Sequence, residues 1–362
     1  MGMELVDGKR VFSGDIVIDG SEIFTVNNNE DLFADDFKKS IFADAIFKSD
    51  CTLTVRNLPE NCEYLFCDSK FEKGFRFKDF DTSNVANMER MFENCIFHKG
   101  FSLGDKFDTS SVTDMENMFS GCALPEGFTL GDKFDTSNVT NMESMFDHCQ
   151  MPEGFTLGDK FDTSNVANME RMFEDCVFHK GFSLGDKFDT SSVTDMENMF
   201  SGCALPEGFT LGDKFVTSNV ANMSGMFSRC WTLPEGFTLG DKFVTSNVAN
   251  MSGMFTLCIL PEDFTLGDKF DTSNVTNMDN MFSNCTLPEG FTLGDKFDTS
   301  NVTNMESMFD HCQIPEGFTL GDKFDTSNVA NMERMFEEAK LPEGFTLGDK
   351  FDTSKNPSSM LV

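Results

Sequence analysis

The sequence predicts an α/β repeat protein, a leucine-rich-repeat-like βα solenoid with a parallel sheet on one wall and short helices on the other. Three observations carry this reading. A 27-residue period runs through most of the 362 residues, marked by a Phe at 80, 107, 134, 161, 188, 215, 243, 270, 297, 324 and 351. Within each period apolar residues recur first at spacings of three and four, then at a spacing of two. Each period is also too short to bury its own apolar face, which is the mark of supersecondary units that stack on one another.

One unit, Phe134 to Lys160, reads FDTSNVTNMESMFDHCQMPEGFTLGDK. Val139, Met142, Met145, Phe146 and Cys149 fall on one face of a helix expected over about residues 138 to 149. Ser137 or Asn138 supplies a side-chain oxygen to cap its first turn. Pro152 and Gly154 in MPEG make a turn, with Gly154 at positive φ. In FTL, Phe155 and Leu157 point one way and Thr156 the other, a short strand that Gly158 and Asp159 close. A helix of about twelve residues is marginal alone in water, so stability has to come from neighbouring units.

Ten such units cover 80–354, ending on a strand around Phe345 to Phe351 and followed by a tail, 355–362. Ahead of them, 54–79 reads as a degenerate unit, because NCEYLFCDSKFEKGF at 61–75 aligns with NMERMFENCIFHKGF at 87–101. Residues 1–53 differ in kind. RVFSGDIVIDGSEIFTV reads as two strands around an Asp19, Gly20 turn, and EDLFADDFKKSIFADAIF as a helix. Together they predict an N-terminal cap whose polar outer face is Asp31, Asp35, Asp36, Lys38 and Lys39. Residues 84–134 recur almost unchanged at 165–215, so recent duplication accounts for much of the sameness.

The string FDTSNV(T/A)NMxxMFxxC returns at fixed spacing from Phe80–Cys95 through Phe324–Met335. It closely resembles the repeat of the BspA-like leucine-rich-repeat surface proteins, over about residues 80 to 354. The resemblance implies a βα solenoid and non-enzymatic adhesion at a bacterial cell surface, often to host proteins.

A formal net charge of -33, from 61 acidic and 28 basic residues, repels phosphate backbones and anionic headgroups. Neither nucleic acid nor an anionic membrane is therefore an expected partner. The same charge keeps an extended array soluble. No stretch approaches the roughly 20 apolar residues of a membrane span, and MGMELVDGKR lacks the apolar core of a signal peptide. Localisation stays open between the surface that the resemblance implies and a cytoplasm.

Nine of the twelve cysteines, from Cys95 to Cys312, occupy one repeat position. Helices about 8 to 10 Å apart would hold neighbouring cysteines beyond the roughly 7 Å reach of a disulfide, and zinc-ligand spacing is missing. They are expected to be buried free thiols, with Ala339 in the tenth unit, and such a ladder fits a cytoplasm or an anaerobic surface better than an oxidising one. His98, His148, His179 and His311 form two duplicated pairs and no catalytic constellation. Asp132 and Asp135 in GDKFD suggest a calcium column, but Val216 and Val244 interrupt it. No cofactor, metal or catalytic residue is expected.

A binding site is expected where the array breaks its own pattern, in the units starting at Phe215 and Phe243. Val216 and Val244 replace Asp, Ser224–Gly225 and Ser252–Gly253 replace bulkier polar pairs, and Arg229 and Leu257 depart from small or acidic residues. Between the two units sits Trp231, the chain's only tryptophan, in its only one-residue insertion. Tryptophan and arginine dominate binding hot spots. Drift after duplication, or a Trp that merely fills the insertion, is the competing reading. The expected function is an adhesin-like or receptor-binding scaffold for a protein or glycan. The alternative is an intracellular or phage-associated structural module that self-associates through the C-terminal solenoid edge.

Overall fold

The computed structural model describes residues 2–23, 40–352 and 354, and the chain divides into two compact units, Met1–Val166 and Ala167–Val362. Each unit is a repeat solenoid of parallel coils.

The first unit opens on β1 (Met3–Val6), which pairs antiparallel with β2 (Lys9–Phe12). Further strands β4 (Ala45–Phe47), β6 (Lys70–Phe71) and β8 (Ile96–Phe97) extend this sheet in parallel, one per coil. A second parallel sheet holds β3 (Asp15–Asp19), β5 (Thr52–Arg56) and β7 (Arg76–Phe80). The segment expected as one strand before the Asp19, Gly20 turn is two, β2 and β3, with the chain turning between them at Gly14, where φ is +68°. The second expected strand is absent over residues 21–23, the rest of it lying outside the described residues. Asp19 instead caps a 3-10 turn, Gly20–Glu22, its carboxylate accepting the Ser21 N–H at 3.1 Å. Of the helix expected over 30–47, Ala45–Phe47 is strand β4. The proposed outer face, Asp31 to Lys39, lies outside the described residues.

No α-helix occurs among the described residues, so the helical wall read from the sequence is incorrect. In its place each coil carries a run of tight turns. From Asn87 to Cys95 the amides are fully accounted for. Met88, Arg90, Phe92 and Asn94 donate to Asp114, Glu116, Met118 and Ser120 of the next coil at 2.7 to 3.0 Å. Met91, Glu93 and Cys95 donate three residues back within the coil, and the Asn87 carboxamide takes the Glu89 N–H at 2.7 Å. Two residues per coil adopt left-handed backbone to allow this, as Arg90 (φ 53°) and Asn94 (φ 56°) do here. A left-handed residue stops helix propagation. The Asn, Gly and Ser that recur at these places make that conformation accessible. In the second unit the same wall repeats, with Arg171, Phe173 and Asp175 donating to Glu197, Met199 and Ser201.

The three-and-four spacing is nonetheless used for burial. Val139, Met142, Met145, Phe146 and Cys149 are fully buried, because a stack of three-residue turns points the same positions inward as a helix would. The FTL segments also bury Phe155 and Leu157 and expose Thr156, yet they form no strand, nor does the segment around Phe345 to Phe351. Parallel pairing lies elsewhere, in a bridge at the Asn87 position of each coil and in a ribbon just after each Cys, as at Ala123 and Gln150.

Aromatic columns and a threonine ladder fill the interior. Phe66, Phe92, Phe119 and Phe146 stack with centroids 5.4, 5.6 and 5.8 Å apart in the first unit. In the second, Phe200, Phe227 and Phe255 stack at 5.9 and 5.8 Å. Each fully buried Thr clamps the next coil, as Thr82 does by donating to the Asp108 carbonyl and accepting the Asp108 N–H, both at 2.7 Å.

Candidate functional site

The pattern-breaking coils keep this interior unchanged. Thr190 Oγ1 donates to the Val216 carbonyl at 2.7 Å, and Thr217 Oγ1 accepts the Val244 N–H at 2.7 Å, so the ladder needs only backbone at the Asp position. What the valines lose is the carboxylate. Asp271 in a regular coil accepts the Ser273 N–H at 3.0 Å, and that bond with the Ser273 side chain holds its carboxyl below the usual range.

Gly225 and Gly253 sit at the left-handed position of the turn wall, at φ +61° and +60°. Other coils carry Ser144, Arg171 or Asn198 at this position, so glycine is permitted by the turn and leaves the backbone bare, with the Asn198 side chain lying over it. With Ser224 and Ser252 beside them, the two coils lack large side chains, and a shallow depression of about 280 Å³ opens between Glu197 and Asp279.

Arg229 and Leu257 occupy the second left-handed position, at φ 58° and 61°. The Arg229 guanidinium lies back across two coils, donating to Glu174 Oε1 at 2.9 Å and Ser201 Oγ at 3.2 Å, with Asp175 Oδ2 at 3.5 Å.

Next comes the insertion. Strand β9 (Trp231–Thr232) pairs in parallel with β10 (Cys258–Ile259), Trp231 opposite Cys258 and Thr232 opposite Ile259. Before it, Cys230 keeps its ordinary place, its thiol donating to the Phe200 carbonyl at 3.1 Å. After it, Leu233 is buried as Leu205 and Leu260 are. The extra residue is absorbed at Trp231 itself, with φ 48°, and the indole is turned outward to 65% exposure. Most other left-handed side chains of the coils fall at the two recurrent positions; this one does not.

An exposed apolar residue follows the Cys in four consecutive coils, Val177 at 43% exposure, Ala204, Trp231 at 65% and Ile259 at 49%, although it is Thr232 and not Trp231 that stands opposite Ile259. Val177 and Ala204 are bridged in parallel, and the Gly202 N–H donates to Ser228 just before the Cys203 and Cys230 coils reach the ribbon. Three residues beyond Ala204 and Ile259, and four beyond Trp231, come the exposed carboxylates Glu207, Glu262 and Glu235 at the tips of the Pro turns. Lys180 pairs with Glu207 at 2.9 Å.

Arg229 and Trp231 thus lie two residues apart in one coil, and Leu257 directly precedes Cys258, the strand partner of Trp231. Val216 and Val244 stand at the coil corner, and no hydrogen bond or strand pairing among the described residues joins them to Trp231. Val177 and Ile259, which extend the surface, were missed by sequence reasoning. Their signal was present: both directly follow the repeating Cys, a position that faces outward in a ribbon but reads as the inner end of a helix.

The thiols are of a different character. Thiols at the repeat position donate to a Phe carbonyl of the preceding coil, as Cys122 does to Phe92 at 3.1 Å and Cys149 to Phe119 at 2.9 Å, whereas Cys62 donates to the Pro59 carbonyl. Ser69 fills the same role in the degenerate coil, donating to Phe42 at 2.6 Å. Burial pushes Cys122 and Cys258 up to about 12, far from the thiolate form that reacts or binds metal. The expected separation of 8 to 10 Å does not apply, since hydrogen-bonded coils sit closer than packed helices, at about 4.8 Å. All twelve cysteines are free and buried. Among the described residues no three His, Cys, Asp or Glu side chains are grouped to hold a metal ion.

A family model described as "Mycoplasma protein of unknown function, DUF285" matches residues 60–180, 97–205, 154–259, 206–316 and 261–360. The chain is a member of the DUF285 family. No curated protein and no solved structure matches it. The DUF285 matches run through the turn wall and the ribbon alike, so the Trp231 surface is a local variation on the DUF285 coil and not an inserted domain.

Proposed function

We propose that this chain is a non-enzymatic binding scaffold, of the adhesin-like or receptor-binding kind, that engages a protein or glycan through the surface around Trp231. The observation that carries the proposal is the state of Trp231. A bulky aromatic residue in left-handed backbone costs about 1–2 kcal/mol, and a half-exposed indole recovers little of it by burial. Gly or Asn would take this backbone at lower cost, so an exposed tryptophan here supports a use beyond bridging the bulge. The small side chains Ser224, Gly225, Ser252 and Gly253 of the same two coils support the same reading, because they take the place of acidic and bulkier residues and leave a partner fewer carboxylates to strip of water. The likeness of the FDTSNV repeat to BspA-like surface repeats supports adhesion at a bacterial surface as the setting.

The test is a parallel screen of the chain and its Trp231→Ala variant on immobilised protein and glycan panels. At least one specific ligand should be held about 30-fold more weakly by the variant, the scale of a 2 kcal/mol hot spot. Ligands bound equally by both proteins, or chemically altered by either, overturn the proposal.

A further inference from the structure

In a chain with 61 acidic and 28 basic residues, the short stretch 70–78 holds Lys70, Lys73, Arg76 and Lys78 against a single acid, Glu72. Lys48 takes that Glu72 at 3.2 Å, and Lys106 takes the Asp79 that follows. Arg76 and Lys78 are exposed and enter no ion pair among the described residues. We infer that the cleft beside them binds a compact organic oxyanion, a phosphate or sulfate ester carried on a single ring. This is a second site, in the first unit, and it does not rest on Trp231.

The cleft opens where coil-to-coil pairing fails. Strand β7 is the edge of its three-stranded sheet. The Arg76 N–H donates back to the Cys51 carbonyl at 3.2 Å, but among the described residues no backbone hydrogen bond joins 76–79 forward to 102–105. Pairing resumes only at Thr82, whose N–H donates to the Lys106 carbonyl at 3.4 Å. Between them lies a space of about 330 Å³, with Arg76, Phe77, Lys78, Ser102, Gly104 and Lys106 in its lining. Lys78 is the extra residue of a β-bulge, since Leu53 pairs with Phe77 and Thr54 with Asp79. A bulge re-aims the side chain it carries, and such bulges gather beside binding sites.

Room, volume and charge select the occupant. A peptide strand added to β7 needs about 4.8 Å to each neighbour, and a Cβ on Gly104 would already lie 3.5 Å from the Phe77 Cβ, so no chain fits between the coils. The volume is at the small end of ligand pockets, about 300 to 1,000 Å³, and many times the roughly 30 Å³ of a water, so a bare anion would leave most of it unfilled. The half-buried Phe77 ring offers an apolar surface to the body of a ligand. Asp79 balances Lys106, and Asp105 on the opposite lip balances one further cation, which leaves positive charge for a single oxyanion group. The Arg76 fork can take two oxygens of that group and Lys78 can add a point charge. A long polyanion is opposed by the net charge of -33 on the rest of the chain.

The test is calorimetric titration of the full chain with glucose-6-phosphate and phenyl phosphate, two sources of the same chemistry, and with inorganic phosphate, glucose and a short single-stranded oligonucleotide. At least one ester should bind saturably and about tenfold or more tighter than inorganic phosphate, glucose or the oligonucleotide. Preference between the two esters then assigns a sugar or an aryl body. Arg76→Gln combined with Lys78→Gln should weaken the ester by about tenfold or more. Lys296→Gln combined with Lys323→Gln makes the same charge change at exposed positions of other coils and should leave affinity within about twofold. Failure of both esters to bind overturns the inference, as does equal binding of inorganic phosphate or of the oligonucleotide. An equal loss in the two double variants overturns it as well, because the effect would then belong to net charge and not to the cleft.

Discussion

The coil from Phe134 to Lys160 and the coil from Phe215 to Lys242 have the same interior and different exteriors. In both, the Val, the two Met, the Phe and the Cys are buried, the Phe ring stacks on its neighbours, and a Thr clamps the adjoining backbone. Outside, Asp135, Glu143, Ser144 and His148 give way to Val216, Ser224, Gly225 and Arg229, and one residue is added at Trp231. The fold is thus written by inward side chains and backbone ladders, and the outer surface is free to change without altering the coil. The binding proposal depends on that separation.

The separation can be broken most severely from inside. Phe227→Ala and Phe146→Ala should each cost about 3–5 kcal/mol in denaturant unfolding, and nearly the same in the two coils, since each ring is fully buried between two others. A much smaller cost in the coil of Phe227 would show that its interior is also specialised. Thr217→Val comes next. It removes a donor to the Val244 carbonyl and an acceptor for the Val244 N–H, for a loss of about 1–3 kcal/mol. Val216→Asp, by contrast, should stay within about 0.5 kcal/mol, because the ladder uses only its backbone.

A pH-dependent effect separates the acidic column of the regular coils from the uncharged Ser224 and Ser252. Burial, with the Glu63 and Glu116 carboxylates nearby, pushes Glu89 up to about 7, against the pull of Arg90. A raised carboxyl favours the protonated folded form. Its stabilising contribution is therefore complete below about 4.5, the unfolded value, and is lost as pH rises through 7. Glu89→Gln should leave stability unchanged at pH 4 and raise it by about 1 kcal/mol at pH 8, a figure reduced for partial solvent screening. A gain at both values would assign the effect to packing.

Much of this was legible in the sequence, and the failures share one cause. The period, the inward positions and the burial of the thiols follow from residue type at fixed spacing. The backbone between those positions does not. NMESMF has the three-and-four spacing of a helix, and stacked tight turns bury the same residues, so hydrophobic pattern alone could not tell the two apart. The discriminating signal was Gly at 121, 202, 225 and 253 with Asn at 94, 117 and 198, which marks left-handed positions at regular intervals. Reading those as helix interior also hid the outward ribbon after each Cys, and with it Val177 and Ile259. Trp231 stood out as a candidate because an insertion and a singular residue are visible without any knowledge of the backbone.

The most direct test of the central claim is a paired measurement on Trp231→Gly, unfolding free energy and ligand affinity together. Glycine accepts φ 48° freely and fills no space, so a tryptophan kept for binding and one kept for folding respond in opposite ways. The account predicts stability unchanged or raised by up to about 1 kcal/mol, with affinity for a ligand of the wild-type chain reduced about 30-fold. A clear loss of stability with affinity intact would contradict it, and would make Trp231 a filler of its own bulge.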